Sequence, residues 1–289
     1  MKPRHFGKYE LSARATRRAS RRHFAALLAL IALAFGCQRA EPKPAAEAAP
    51  QPPAETELVV FAAASLRDAF TQLGKDFEAA RPGTHVTFNF AGTQELRTQL
   101  EQGARVDVFA SADQKHMGEL LKASVVNEPV TFARNEPVIV VSRDSAEKIR
   151  SLADLPSAER IVIGVPEVPI GRYTLQILDR AASSLGADFR ARVEAKVVSR
   201  ELNVRQVLAK VTLGEAQAAF VYRSDVATAV QRPSIVTIPP DINVIAEYPI
   251  ASVKAAPHPA LARAWVDLVL SPEAQRVLEK AGFLPRGAT

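Results

Sequence analysis

Ser65 stands where an apolar, β-rich run, Glu57–Ala64, gives way to Leu66, Ala69, Phe70, Leu73 and Phe77 at helical spacing. A hydroxyl at such a junction reads as an N-cap, and free N–H groups at the positive end of a helix favour an anion. That is binding chemistry. The combinations that break bonds are missing: there is no Ser-His-Asp spacing and no glycine-rich phosphate loop. His85, His116 and His258 stand apart without metal-ligand spacing. Asp107 and Asp113 bracket a strand end, where capping or turn roles are expected, and Arg97, Arg105 and Arg172 read as solvated helix or loop charges. Trp265 falls at amphipathic spacing within Ala260–Leu270 and is expected in a core.

The net charge of +6 invites a nucleic-acid reading until its location is examined. Residues 1–36 hold eight Lys or Arg against Glu10 alone, which leaves 29 basic and 30 acidic residues in the remainder. The body is nearly neutral, so no nucleic-acid partner is implied. The basic stretch leads into Phe24–Phe35, an apolar run too short for a confident membrane span, and the pattern is that of a secretory signal over 1–36. Ser20-Arg21-Arg22-His23-Phe24 also resembles a twin-arginine export signal. Cys37, the single cysteine, follows directly, and Ala34-Phe35-Gly36-Cys37 looks like a lipobox. Lipidation of Cys37 would give a membrane-anchored exported protein whose mature chain has no free thiol. Residues 37–56, rich in Pro, Ala and Glu without apolar periodicity, read as a flexible tether.

Beyond the tether, strand and helix patterns alternate. Strands are expected at Val86–Phe90, Val106–Ala110, Val138–Ser142, Arg160–Gly164 and Ala218–Val221. Helices are expected at Glu95–Gln102, Lys115–Lys122, Tyr173–Leu185 and Val204–Leu213. This alternation argues for α/β layers with mostly parallel sheets, in two lobes, with the ligand where strands end and helices begin.

Four strings, FAAASL (61–66), FAGTQELRTQLEQGARVDVFASADQKHM (90–117), PEVPIGRYTLQIL (166–178) and NVRQVLAKVTLGEAQAAFVYRSD (203–225), resemble the periplasmic molybdate-binding proteins of ABC importers. The resemblance covers 57–286 and implies a type II periplasmic-binding fold: two α/β lobes joined by two crossing strands that act as a hinge. It implies lobe one at 57–138 with 246–287, and lobe two at 139–245. It also implies the contacts of a tetrahedral oxyanion: the hydroxyls of Ser65, Thr93 and Tyr222 and the backbone amides of Ile170 and Val204. Thr93 stands where Ser is more usual and Ile170 where Ala or Val is common, and both add bulk beside the ligand.

The expectation is therefore a non-catalytic, monomeric lipoprotein that takes molybdate, with tungstate close behind, to a membrane permease and its ATPase. No cofactor and no metal site is expected. The competing readings are a sulfate, thiosulfate or phosphate receptor of the same fold, an enzyme on a bilobal scaffold, and a ligand-sensing domain for transcription.

Overall fold

The structure is a computed structural model that describes residues 56–227, 229 and 232–287. The signal, Cys37 and the tether up to residue 55 lie outside the described residues. Among the described residues no helix is long and apolar enough to cross a membrane.

The chain begins with β1 (Thr56–Ala63), a 3-10 turn (Ala64–Leu66), α1 (Arg67–Ala79), β2 (Thr84–Ala91), α2 (Thr93–Glu101), β3 (Val108–Ala110), α3 (Gln114–Lys122) and β4 (Val130–Asn135). It continues through β5 (Pro137–Val141), β6 (Ile161–Gly164), α4 (Pro169–Leu185), α5 (Phe189–Glu194), β7 (Val197–Glu201), α6 (Val204–Thr212), β8 (Ala218–Tyr222), α7 (Arg223–Ala227) and β9 (Ser234–Val236). It ends with β10 (Ala246–Ser252), α8 (Pro259–Leu270) and α9 (Pro272–Lys280).

These strands form two five-stranded sheets, β2-β1-β3-β10-β4 and β7-β6-β8-β5-β9. In the first, β1 runs parallel to β2 and β3 while β10 is antiparallel to β3 and β4. In the second, β6 runs parallel to β7 and β8 while β5 is antiparallel to β8 and β9. The chain crosses from one sheet to the other between Asn135 and Pro137 and returns between Val236 and Ala246. The two crossings lie side by side, because Asn135 pairs with Ala246 in the β4–β10 ladder and Asn243 Nδ2 donates to the Pro137 carbonyl at 3.0 Å.

One apolar core runs through both lobes, from Phe70 and Trp265 under the first sheet to Val140, Val162 and Val221 of the second and Val207 of α6. Under the first sheet Trp265 is fully buried and meets Phe70, Phe77 and Phe88 edge-on at 5.4 to 5.6 Å. The apolar spacing of α1 puts Ala69, Phe70, Leu73 and Phe77 on this buried face, as 3.6-residue periodicity requires. In the second lobe Ile139, Ile163, Ile177 and Phe220 fill one face of the sheet.

Several elements differ from the sequence reading. Helix α2 starts at Thr93 and α4 at Pro169, earlier than the apolar periodicity indicates: their first residues are buried against the cavity rather than set on the helix's amphipathic stripe, and the first turns include Thr93, Pro169 and Gly171, which carry no apolar period. The central strand β10 has no clean alternation: Pro249 sits at a register shift beside Tyr248, where its missing N–H costs no ladder bond.

Candidate functional site

The loops that follow the parallel strands of both sheets converge on one small cavity of about 20 Å³. That exceeds the roughly 10–15 Å³ one water needs, yet it suits only a compact species of a few heavy atoms. Its walls include Ser65 after β1, Thr93 after β2, Ile170 in the first turn of α4, Val204 at the start of α6 and Tyr222 at the end of β8. All five residues singled out from the sequence thus meet at one place.

Local structure explains how each is presented. Ser65 is the middle residue of the 3-10 turn, not the N-cap expected from its junction: the flanking cap positions are Ala63 and Leu66, and neither makes a side-chain cap bond. The tight turn faces the hydroxyl inward, where Ser65 Oγ lies 2.9 Å from Tyr248 Oη. Thr93 opens α2 behind the N-cap Gly92, and its Oγ1 accepts the Ala112 N–H at 3.2 Å. A Cβ on Gly92 would sit 2.3 Å from the Leu202 carbonyl of the opposite lobe, so only glycine fits there. The α4 start is similarly close-packed, since a Cβ on Gly171 would lie 2.1 Å from the Val165 carbonyl. Val204 follows Asn203, whose side chain caps α6 by accepting the Gln206 N–H at 3.1 Å.

The first N–H groups of a helix have no carbonyl within the helix to bond, so α2, α4 and α6 each bring donors and a positive dipole end to the cavity. Tyr222 is buried, and among the described residues its hydroxyl has no hydrogen-bond partner. A buried polar group left that way costs about 1–3 kcal/mol, which a ligand acceptor would recover. Burial also pushes the hydroxyls of Tyr222 and Tyr248 well above the ordinary tyrosine value, so both stay protonated and able to donate.

Charge is kept off the walls: no Asp, Glu, Lys, Arg or His lines the cavity among the described residues. Arg172 pairs with Asp113 at 2.8 Å, Arg97 pairs with Glu119, and Arg105 is exposed. Asp113 also caps α3 through the His116 N–H, whereas Asp107 is a buried staple that accepts the Val59 N–H at 2.9 Å and the His258 N–H at 2.7 Å. Among the described residues no group of three or more His, Cys, Asp or Glu is placed to hold a metal ion. The arrangement can surround a small anion with neutral donors.

Residues 58–284 match the family model for bacterial extracellular solute-binding proteins. The chain belongs to this family. This solute-binding protein is 42% identical over 228 residues to the molybdate-binding protein ModA of Mycobacterium tuberculosis (strain ATCC 25618 / H37Rv), covering 78% of this chain and 84% of the relative. Among solved structures, the periplasmic molybdate-binding protein of Azotobacter vinelandii aligns with TM-score 0.69 at 20% identity, covering 78% of this chain and 98% of that one. The sulfate-binding protein SubI from Mycobacterium tuberculosis H37Rv aligns with TM-score 0.71 at 18% identity, covering 80% and 87%. These last two likenesses establish the fold. The related chains are binding proteins, not enzymes.

In this solute-binding protein the lobes are held together around the cavity by direct bonds. Gln94 Nε2 donates to the Leu202 carbonyl at 2.8 Å, and Arg172 reaches Asp113 across the cleft. Arg205 meets Asp68 at 2.6 Å. His116 Nε2 lies 2.9 Å from the Glu167 carbonyl, and since a carbonyl only accepts, Nε2 carries the hydrogen. Burial holds the His116 pKa below its ordinary value, so the ring is neutral near pH 7. None of these pairs, nor the Tyr248 contact, was singled out in the sequence, because each joins side chains far apart in the chain without a local motif.

Proposed function

We propose that this solute-binding protein captures molybdate, with tungstate as a near-equivalent ligand, and delivers it to an ABC permease and its ATPase. The observation that carries this reading is the uncharged cavity walled by Ser65, Thr93, Ile170, Val204 and Tyr222, in which the buried Tyr222 hydroxyl lacks a protein partner. The name printed for its Mycobacterium tuberculosis relative, a molybdate-binding protein, supports the same ligand. Ser65, Thr93 and Tyr222 would donate through hydroxyls, and Ile170 and Val204 through backbone amides.

A hydrogen bond to a charged group contributes about 1.5–3 kcal/mol, so five such donors together offer about 7.5–15 kcal/mol, which brackets the roughly 8–12 kcal/mol of micromolar to nanomolar binding before ordering costs are subtracted. Helix dipoles spread the compensation over neutral groups, so no buried Arg or Lys is needed. The apolar run ending at Cys37 supports export and anchoring through a lipid on that cysteine, with the chain acting as a monomer on a tether.

Calorimetric titration of the purified protein with molybdate, tungstate, sulfate and phosphate tests the assignment. Molybdate and tungstate should bind at least tenfold more tightly than the other two. A preference for sulfate would make the protein a sulfate receptor of the same fold, and a preference for phosphate would require an acceptor in the cleft that this reading lacks.

A further inference from the structure

Two of the three hydroxyls at the cavity are already used as acceptors by the protein. Ala112 N–H donates to Thr93 Oγ1 at 3.2 Å. At Ser65 the direction of the bond to Tyr248 follows from the groups behind it. Asn135 Oδ1 accepts the Glu136 N–H at 3.0 Å, which fixes the amide orientation and turns Nδ2 toward Ser224 Oγ at 2.8 Å and Tyr248 Oη at 3.3 Å. Tyr248 Oη therefore receives a hydrogen from Asn135, and its own hydrogen goes to Ser65 Oγ at 2.9 Å. The Ser65 hydrogen is left for the cavity. All three members of this chain are buried.

We infer that Tyr248, oriented by Asn135, is a positioning and specificity-determining residue that locks Ser65 as a donor, as the Ala112 amide locks Thr93. The inference rests on the oxyanion reading above and extends it to residues that do not touch the ligand. A hydroxyl free to rotate serves a P–OH as readily as a P–O⁻, because it can accept as well as donate. One that already accepts a protein hydrogen has its own hydrogen free for the cavity and only one lone pair left, so donation is favoured: a fully deprotonated dianion is matched and a protonated oxyanion is disfavoured. Rejection of phosphate is on this account imposed partly from outside the cavity.

The test is a double-mutant cycle read by calorimetry at pH 7 with molybdate and, separately, inorganic phosphate, on the parent, Tyr248→Phe, Ser65→Ala and the double variant. Tyr248→Phe should weaken molybdate by about two- to tenfold, the range of one neutral hydrogen bond. It should leave phosphate unchanged or improved, so that the ratio of the two dissociation constants narrows. In the Ser65→Ala background the same change should have no further effect on molybdate. Asn135→Ala, which keeps Tyr248 but frees its hydroxyl, should reproduce the pattern at smaller size and serves where Tyr248→Phe folds poorly. Equal loss of molybdate affinity in both Ser65 backgrounds, or equal loss for both anions, would mean a merely structural Tyr248 and overturns the inference alone. A parent that binds no oxyanion overturns the functional reading and this inference with it.

Discussion

Tyr222 and Tyr248 pack edge-on with ring centroids 5.8 Å apart, yet their hydroxyls differ: that of Tyr248 is bonded to Ser65 and Asn135, and that of Tyr222 has no partner among the described residues. One hydroxyl belongs to the framework and the other is available. That contrast separates the effects expected of otherwise identical substitutions.

Tyr222→Phe removes a hydroxyl that no described residue bonds and that the proposed ligand would use. Molybdate should bind about 10- to 100-fold more weakly, the loss of one hydrogen bond to a charged group. The ligand-free variant should melt no lower than the parent, because the deleted hydroxyl is an unsatisfied buried group. Calorimetry paired with a thermal melt checks both, and a variant that binds like the parent would move the site elsewhere.

Gly92→Ala tests closure. The added Cβ would press on the Leu202 carbonyl of the opposite lobe and on the Gln94 side chain, whose flexible end can move aside in its own lobe only by giving up its bond to that carbonyl. Affinity should fall roughly ten- to hundredfold, in line with the cost of overpacking. Small-angle scattering should show the parent contracting on adding molybdate while the variant stays expanded. Equal contraction by both would count against the Gly92–Leu202 approach as part of the closed state.

Binding should weaken as pH falls below about 6.5, the ordinary histidine value. His116 is neutral in the closed form because burial lowers its pKa, the largest influence, against Asp113 and the Glu167 carbonyl, which raise it. An open form lets the ring regain its ordinary value, so below that pH the open form binds the extra proton, by up to about tenfold in affinity per pH unit. His116→Gln keeps a donor for Glu167 and removes the titration. Parallel titrations at pH 5.5 and 7.5 should show the dependence in the parent and its absence in the variant.

Asp225 predicts a pH dependence of folding. Burial raises its carboxyl to about 6 from 3.8, against Arg205 and the Tyr222 N–H, which lower it. Because the folded state holds the proton more tightly than the unfolded chain, this contribution is full below pH 3.8 and is lost as pH rises through about 6. Asp225→Asn should remove that slope. Relative to the parent, the variant's unfolding free energy should gain on the order of 2 kcal/mol between pH 4 and 6.5, measured by denaturant titration.

Cys37→Ala addresses the anchor. The variant should leave the membrane fraction or retain its signal uncut. Recovery in membranes with a normally processed N-terminus would remove the lipoprotein assignment.

How far the sequence carried depended on the range of each interaction. The α/β alternation was legible because buried parallel strands and amphipathic helices write their periods locally. The five cavity residues came from the family resemblance of short strings around Ser65, Thr93, Ile170, Val204 and Tyr222, each at or beside the end of an element. Strand β10 was hidden by Pro249, and with it Tyr248, whose partner Ser65 lies 183 positions away. Ser65 lies at the strand–helix junction read from the sequence but inside a 3-10 turn rather than at an N-cap, because the two look alike in sequence. The cross-lobe pairs Asp113–Arg172 and Asp68–Arg205 depend on how surfaces from the two lobes meet.

Asn135 stands at the first chain crossing and donates both to Ser224 in one lobe and to Tyr248 in the other. A pivot bonded on both sides moves little while the lobes swing, so the Ser65 and Thr93 half of the cavity is built before any ligand arrives. The rates should then divide. On the proposed reading, arrival of the anion would be governed by that standing half, and its residence time by Ile170, Val204 and Tyr222, which would engage only afterwards. Changes on the second lobe would lengthen or shorten the lifetime of the complex while leaving the rate of capture nearly constant, and a permease that pries the lobes apart would discard the slow half first.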